Sequence, residues 1–548
     1  MREAETPGGQ RGLFSGGGHK EGKDRRPGRP LAVFKALVLL VLLGTTAYGM
    51  IYDGLYHARL WLPVAAGILA LLFVTLFVRG FYQDLPPAGV LLVALLTTLV
   101  AVKGLSMVWT ISEAETIEEL LRSSMYLAVF VVTLAALTSG RQVGPVVDVL
   151  ALLVAAVAGY GLLQKISPFV YPVKSLDTVR VDSTLGYANT AAVILGMGLT
   201  LALARMTTLR NFAFRGLYAA LILASLVTLY LTLSRGGIGA LGIGLLVLFV
   251  LGGNRLQMCA NLLLLSVPGV WLLWRMQDLE GLLGTDVSRQ QKIADGLAFR
   301  NDLILALVAT FVLQAAYAFL VSRYELAPQA RRGLGLLVAA GTVLAVGALT
   351  VAFVTGLGGV GQAARVIFSN PEQTGNLGQR LVSVGIGFRE DYWRVGWEAW
   401  KERPFTGTGA GTFQYTWLEN RPGLQSVRQV HNLYLEQGTE TGVFAFLALL
   451  GFVAILLGYA GRVAWRLDPS GEHRLLLAGL VSTLVIYLSS SVFEWHWYMP
   501  ASTLFFFILA AVATKFASRT DPPPGTDAVR SANGEDPRDG RPPLLGTD

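Results

Sequence analysis

Long apolar runs broken by short polar stretches dominate the chain. Leu31–Tyr52, Leu60–Val78, Ala88–Val102 and Leu334–Val354 are each nearly free of charge. A helix needs about 20 such residues to cross the hydrocarbon core of a bilayer. Runs of roughly 15–23 residues occur about 14 times. They lie near 31–52, 60–78, 87–105, 123–139, 144–164, 188–204, 216–233, 236–251, 258–274, 302–322, 333–355, 443–461, 474–491 and 499–516. The pattern predicts an all-α polytopic integral membrane protein with about 12–14 transmembrane helices and a large extracytoplasmic loop carrying short amphipathic helices.

The polar breaks set the organisation. Residues 1–30 hold Gly, Arg and Lys without an apolar face and read as a disordered basic tail, not a signal peptide, since no small-residue cleavage site follows the first run. A helix bundle is expected over 31–355, a long polar loop over 356–442, further spans over 443–516, and a Pro-, Gly- and Asp-rich disordered tail over 517–548. Within the loop, Glu390–Arg403 places Trp393, Trp397 and Trp400 at helical spacing, as an interfacial amphipathic helix would. Another outward loop, about 275–301, is polar and carries no familiar motif. No internal repeat of the kind many transporters carry is evident.

Composition agrees with the pattern. The 548 residues are 53% hydrophobic and 15% charged, where a soluble domain holds about 25% charged. The single cysteine, Cys259, excludes an intrachain disulfide framework and a zinc cluster, and reads as a small buried hydrophobe. The net charge of +8 implies no nucleic acid, because much of it lies in the tails and short loops.

Charge placement orients the spans. With the N-terminus inside, Arg25, Arg26, Arg29, Arg79, Arg141, Arg205, Arg210, Arg215, Arg255, Arg323, Arg331, Arg332, Arg462, Arg466 and Arg474 all fall on the cytoplasmic side. Glu113, Glu115, Glu118 and Glu119 fall outside, in an acidic loop. The positive-inside rule is met at almost every short loop. Both termini are then cytoplasmic, the long loop faces outward, and the span interiors hold almost no charge.

The same orientation gathers five polar clusters on the outer face: Arg180 to Asn189, Ser234-Arg235-Gly236-Gly237, Arg389 to Trp393, His431-Asn432 with Glu440 and Gly442, and Glu494 with His496. Each has a bland alternative. Arg235 could snorkel at the interface, although its glycine pair suits close approach by a ligand or backbone. Arg389 could be a solvated loop arginine, and His431 could cap the following helix. Glu440 reads as a cap or bridge between helices, and His496, flanked by tryptophans, as interfacial. Arg180 and Asn189 stay open. The run Thr406-Gly-Thr-Gly-Ala-Gly-Thr412 follows no strand, so a tight turn is expected and not a phosphate cradle.

Arginine suits bidentate binding of phosphate oxygens. A diphosphate so held is a good leaving group that needs no general acid. The incoming hydroxyl needs a base, which histidine supplies near pH 7. No outward Asp-x-Asp pair suggests a divalent metal. The inventory is compatible with metal-free transfer of a group from a lipid diphosphate to a hydroxyl.

At these residues the chain resembles the O-antigen ligase/polymerase family of bacterial membrane glycosyltransferases. The stretches that carry the resemblance are Arg180–Asn189, Ser234-Arg-Gly-Gly237, Arg389-x-x-x-Trp393 through Pro404 to Gly407-Thr-Gly-Ala-Gly-Thr-Phe413, and His431-Asn432 with Glu440-x-Gly442. They occur in the family's order, with a longer stretch between Arg235 and Arg389. The resemblance implies an undecaprenyl-diphosphate-linked glycan donor and a glycan, lipid A core or protein hydroxyl as acceptor. It implies a site on the outer face of the bacterial cytoplasmic membrane and metal-independent, inverting transfer without a cofactor, in cell-surface polysaccharide assembly. Arg235 and Arg389 would hold the diphosphate and His431 would activate the acceptor. Arg180, Asn189, Ser234, Trp393, Asn432 and Glu440 would bind substrate. A transporter or flippase for a lipid-linked or anionic solute is the alternative, and a non-catalytic scaffold a third.

Overall fold

The computed structural model describes residues 28–174, 179–284, 287–324 and 389–521, with a few positions between 329 and 340. Most of the expected span 333–355, residues 356–388 of the expected loop, and nearly all of both expected tails lie outside the described residues.

Within the described residues the chain is helical, without strands. In order the helices are α1 (Arg29–Ile51), α2 (Ala58–Leu76), α3 (Pro87–Leu105), α4 (Glu113–Ala136), α5 (Val143–Ile166), α6 (Ala188–Thr208), α7 (Phe212–Leu231), α8 (Arg235–Leu251), α9 (Arg255–Gln277), α10 (Glu280–Leu283), α11 (Arg289–Arg323), α12 (Arg389–Glu402), α13 (Phe413–Asn420), α14 (Leu433–Arg466), α15 (Glu472–Ser490) and α16 (Pro500–Thr520). Twelve of the described helices are long and apolar enough to cross a membrane. The apolar α8, at 17 residues, is shorter. Every expected span inside the described residues has its helix.

α6, α15 and α16 form the centre of the bundle, and almost every residue of α6 and α16 is buried. Their small residues allow it. A Cβ on Gly479 of α15 would meet Ala204 of α6 at 2.4 Å, and one on Gly244 of α8 would meet Ile486 of α15 at 2.4 Å. α1, α2 and α11 lie outside and expose Leu, Val and Phe side chains such as Leu40, Phe73 and Val308. In an apolar solvent that exposure has no hydrophobic cost.

The connecting segments sort to two ends of the bundle. At one end, Lys174 pairs with Asp53, Trp109 Nε1 donates to the Thr406 carbonyl at 3.0 Å, and Arg428 pairs with Glu115 at 3.2 Å. At the other, Arg210 pairs with Glu472 at 3.6 Å and Arg466 with Asp521 at 3.9 Å, and Lys515 donates to the Asp84 carbonyl.

Three expectations change. The acidic stretch Glu113–Glu119 is not a loop but the first turns of α4, where carboxylates favour a helix N-terminus. The polar stretch 275–301 is mostly helical. Ser288 caps α11 by accepting from Gln291 N at 3.2 Å, and Asp295 accepts from Gly281 N at 2.7 Å. The spans also hold more charge than the sequence pattern suggested. Lys103 of α3 and Glu119 of α4 are fully buried at 2.6 Å, and Arg122 pairs with the same carboxylate. Trp497 Nε1 also donates to Glu119, at 2.6 Å. Buried charge persists only when paired and hydrogen-bonded. Here the pairing pins the segment between α15 and α16 against α3 and α4.

α14 is broken at Gly442, whose φ of 72° lies in the left-handed region. A Cβ there would sit 2.2 Å from the Phe405 carbonyl oxygen. The break separates a short, buried first segment, beginning at Leu433, from the span that follows.

Candidate active site

The segment between α15 and α16, residues 491–499, carries Glu494, which is 4% exposed. Four side chains converge on its carboxylate. Asn189 Nδ2 donates to Oε1 at 2.8 Å, Tyr187 OH donates to Oε2 at 2.7 Å, and an Arg389 terminal nitrogen donates to Oε1. His431 Nδ1 lies 4.0 Å from Oε2. Arg389, the first residue of α12, also donates through Nε to the Phe493 carbonyl at 2.6 Å.

Arg180 extends the network. It donates to Asn189 Oδ1 at 2.5 Å and, through Nε, to the Thr232 carbonyl at 2.8 Å. That second bond fixes the turn between α7 and α8. Leu233 there has a φ of 51°, uncommon for a branched residue. Ser234 caps α8 by accepting from Gly237 N at 3.2 Å, and Arg235 is the first helical residue. Gly237 rests on α6, where a Cβ would be 2.5 Å from that of Ala192.

His431 stands in the same strained backbone region, with a φ of 57°. Asn432 follows as the cap of α14, its Oδ1 accepting from Tyr434 N and Leu435 N, both at 3.1 Å. The cap and the strained residue before it aim the imidazole at Glu494. Trp393 Nε1 donates to the His431 carbonyl at 3.4 Å. The rings of Tyr392 and Trp495 flank the imidazole, with centroids 5.4 Å and 6.3 Å away. The His431 side chain is 18% exposed, and Nδ1 has no hydrogen-bond partner. Burial, then the charge of Arg389 and the proximity of His496, push its pKa down to about 3. The ring is neutral at pH 7, as a general base must be.

Glu440 holds the glycine-rich run. Its carboxylate accepts from Gly411 N at 2.7 Å and Phe413 N at 3.1 Å. Gly407, Gly409 and Gly411 all have positive φ, so the run is a tight turn. A Cβ on Gly407 would lie 2.3 Å from the Glu440 carbonyl carbon. The turn therefore seats the strand of chain leading to His431 against the head of α14.

His496 is not interfacial. It is fully buried, with Nδ1 3.2 Å from Thr190 Oγ1 and Nε2 2.8 Å from Ser490 Oγ. Both nitrogens are occupied, which marks it as structural. Of the tryptophans on α12, Trp393 packs on Phe493 and Trp400 on Phe446, while Trp397 is half exposed.

Arg180, Asn189, Arg389, Trp393 and His431 thus join one network, and Ser234 and Arg235 follow the turn bonded to Arg180. Asn432 and Glu440 shape the backbone beside it. Sequence reasoning placed Glu494 in an outer-face cluster but gave it no role in the site, and it gave none to Tyr187. The signal for Glu494 was a lone carboxylate in Phe-Glu-Trp-His-Trp, between two spans.

Residues 303–450 match the family model described as O-Antigen ligase. The match supports the resemblance to the O-antigen ligase/polymerase family. The O-antigen ligase segment runs from α11 into α14 and contains Arg389, Trp393, His431, Asn432 and Glu440. Arg180, Asn189, Ser234, Arg235 and Glu494 lie outside it; Glu494 contacts it through Arg389 and His431, and Asn189 and then Arg180 join through Glu494. No curated protein matches the chain.

Proposed function

We propose that the protein transfers a glycan from an undecaprenyl-diphosphate lipid to a hydroxyl acceptor on the outer face of the bacterial cytoplasmic membrane, in cell-surface polysaccharide assembly. The observation that carries this is a neutral, partly open histidine beside a guanidinium at one end of a membrane bundle. The positive charges at the opposite end support placing the site outside.

In this reading Arg389 and Arg235 bind the diphosphate, with Arg180, Asn189, Ser234 and Trp393 shaping its surroundings. The acceptor oxygen attacks the anomeric carbon as His431 takes its proton. The bond from that carbon to the diphosphate oxygen breaks, and its electron pair leaves on a diphosphate whose charge the arginines already offset. One displacement inverts the anomeric centre, and no metal is required of these residues.

The test is glycan transfer in membranes carrying Arg235→Ala, Arg389→Ala or His431→Ala. The reading expects strong loss in each at normal expression. Full activity in all three would overturn it.

A further inference from the structure

We infer that Glu494 is a positioning residue that couples donor binding to base activation: it is held by Arg389 and turns to His431 Nδ1 when a diphosphate draws Arg389 away. The inference rests on the diphosphate-transfer reading.

Three observations lead to it. Glu494 is buried and shares its carboxylate among Arg389, Asn189 and Tyr187. His431 Nδ1 is buried without a partner, yet points at Oε2 from 4.0 Å. A hydrogen bond would need about 1 Å less. Arg389 is also the residue an anionic donor would take.

The physics drives the exchange. A diphosphate carries more charge than a carboxylate and accepts from arginine bidentately, so it competes for Arg389. Glu494 is then a buried anion short of its cation, which is costly. The donor that can replace it is His431 Nδ1–H. Once that bond forms, the imidazole is fixed in the tautomer with Nε2 unprotonated. The acceptor O–H gives its proton to Nε2 as the new C–O bond forms. Glu494 stabilises the resulting imidazolium without itself taking a proton, and the diphosphate leaves with the electron pair of the broken bond.

Among the described residues, the charged and titratable groups facing His431 are Arg389 and Tyr392 from α12, with Glu494 and His496 from the segment before α16. Arg389, paired with Glu494 beside the ring, opposes its protonation. Diphosphate removes that opposition and frees Glu494, and both changes act in the same direction.

The experiment is nitrogen NMR of the full chain in detergent, labelled at its five histidines, with His431→Gln to assign the signal. Inorganic pyrophosphate is the probe. Binding should make the Nδ1–H tautomer of His431 dominant and raise its titration midpoint by about one unit or more. Glu494→Gln should still bind pyrophosphate but lose both changes. In glycan transfer it should lower kcat about 10²–10⁴-fold with the donor KM unchanged or lower, and Glu494→Asp should recover part of the rate. Pyrophosphate binding that leaves His431 unmoved in the wild type overturns the coupling, as does wild-type turnover by Glu494→Gln. If Glu494→Gln fails to fold, the wild-type titration decides alone. Failure of the wild type to bind pyrophosphate would instead overturn the diphosphate reading, and the coupling with it.

Discussion

Arg389 and Glu494 form an ion pair between the head of α12 and the segment that joins α15 to α16, with 104 residues separating the Arg389 Nε donor from its Phe493 acceptor beside it. The pair closes the site across the bundle. It joins the segment that matches the O-antigen ligase family to a part of the chain outside that match.

Removing one partner should therefore cost stability as well as function. Arg389→Ala leaves the Glu494 carboxylate buried without its cation, for which about 3–5 kcal/mol is expected. Thermal unfolding in detergent should show a clear drop. Arg389→Lys should restore part of the stability but not bidentate phosphate binding. Unchanged melting of Arg389→Ala would show the pair to be incidental.

The histidine predicts an acid dependence of defined sign. The pKa of His431 is about 3 in the folded protein, below its ordinary 6.5. The unfolded chain thus binds the proton more readily between those values. The contribution of this group to stability is complete above pH 6.5 and is lost as pH falls toward 3. Melting temperature against pH should fall less steeply for His431→Gln than for the wild type. Equal slopes would contradict the burial of the ring.

The same value shapes catalysis. The acid limb of kcat/KM reports the free enzyme and should lie well below pH 6. The limb of kcat reports the donor complex and should lie higher if donor binding frees Glu494. Coincident limbs near 6.5 in both profiles would place His431 in water.

Glu440 separates a positioning role from a binding one. Glu440→Gln keeps one acceptor and turns an amide nitrogen toward the Gly411 or Phe413 N–H. The unsatisfied pair should cost about 1–3 kcal/mol. Lower melting temperature with lower kcat is expected. A raised KM at unchanged melting temperature would make Glu440 a substrate ligand instead.

Glycine positions give a paired control. Gly442→Ala forces a Cβ to within 2.2 Å of the Phe405 carbonyl at positive φ, and should destabilise by about 1–3 kcal/mol or more. Gly423→Ala meets nothing within 4 Å and should be silent. Proteolysis of detergent-solubilised protein would rank them, and equal resistance would contradict the break in α14.

Much of this architecture was legible because two signals in the sequence are strong. Apolar length marks spans, and arginine placement sorts the loops, so Arg180, Arg389 and His431 could be assigned to one end before any contact was known. A cap at the head of α14 was expected at His431, and Asn432, one residue later, fills it. What stayed hidden depends on contacts between distant residues. Glu494 looks like an interfacial acid until Asn189, Tyr187 and Arg389 are seen to meet on it. His496 looks interfacial beside its tryptophans, yet Thr190 and Ser490 enclose it. Glu119 sits in an acidic stretch that suggests a loop, and only Lys103 on the neighbouring helix explains why it enters the bundle.

The most direct measurement is transfer by purified protein in vesicles, given undecaprenyl-diphosphate-linked glycan and a hydroxyl acceptor. The wild type should release undecaprenyl diphosphate in step with glycosylated acceptor, while His431→Ala should bind donor and release almost none. Movement of intact lipid-linked glycan across the vesicle membrane without transfer, or wild-type transfer by His431→Ala, would contradict the account.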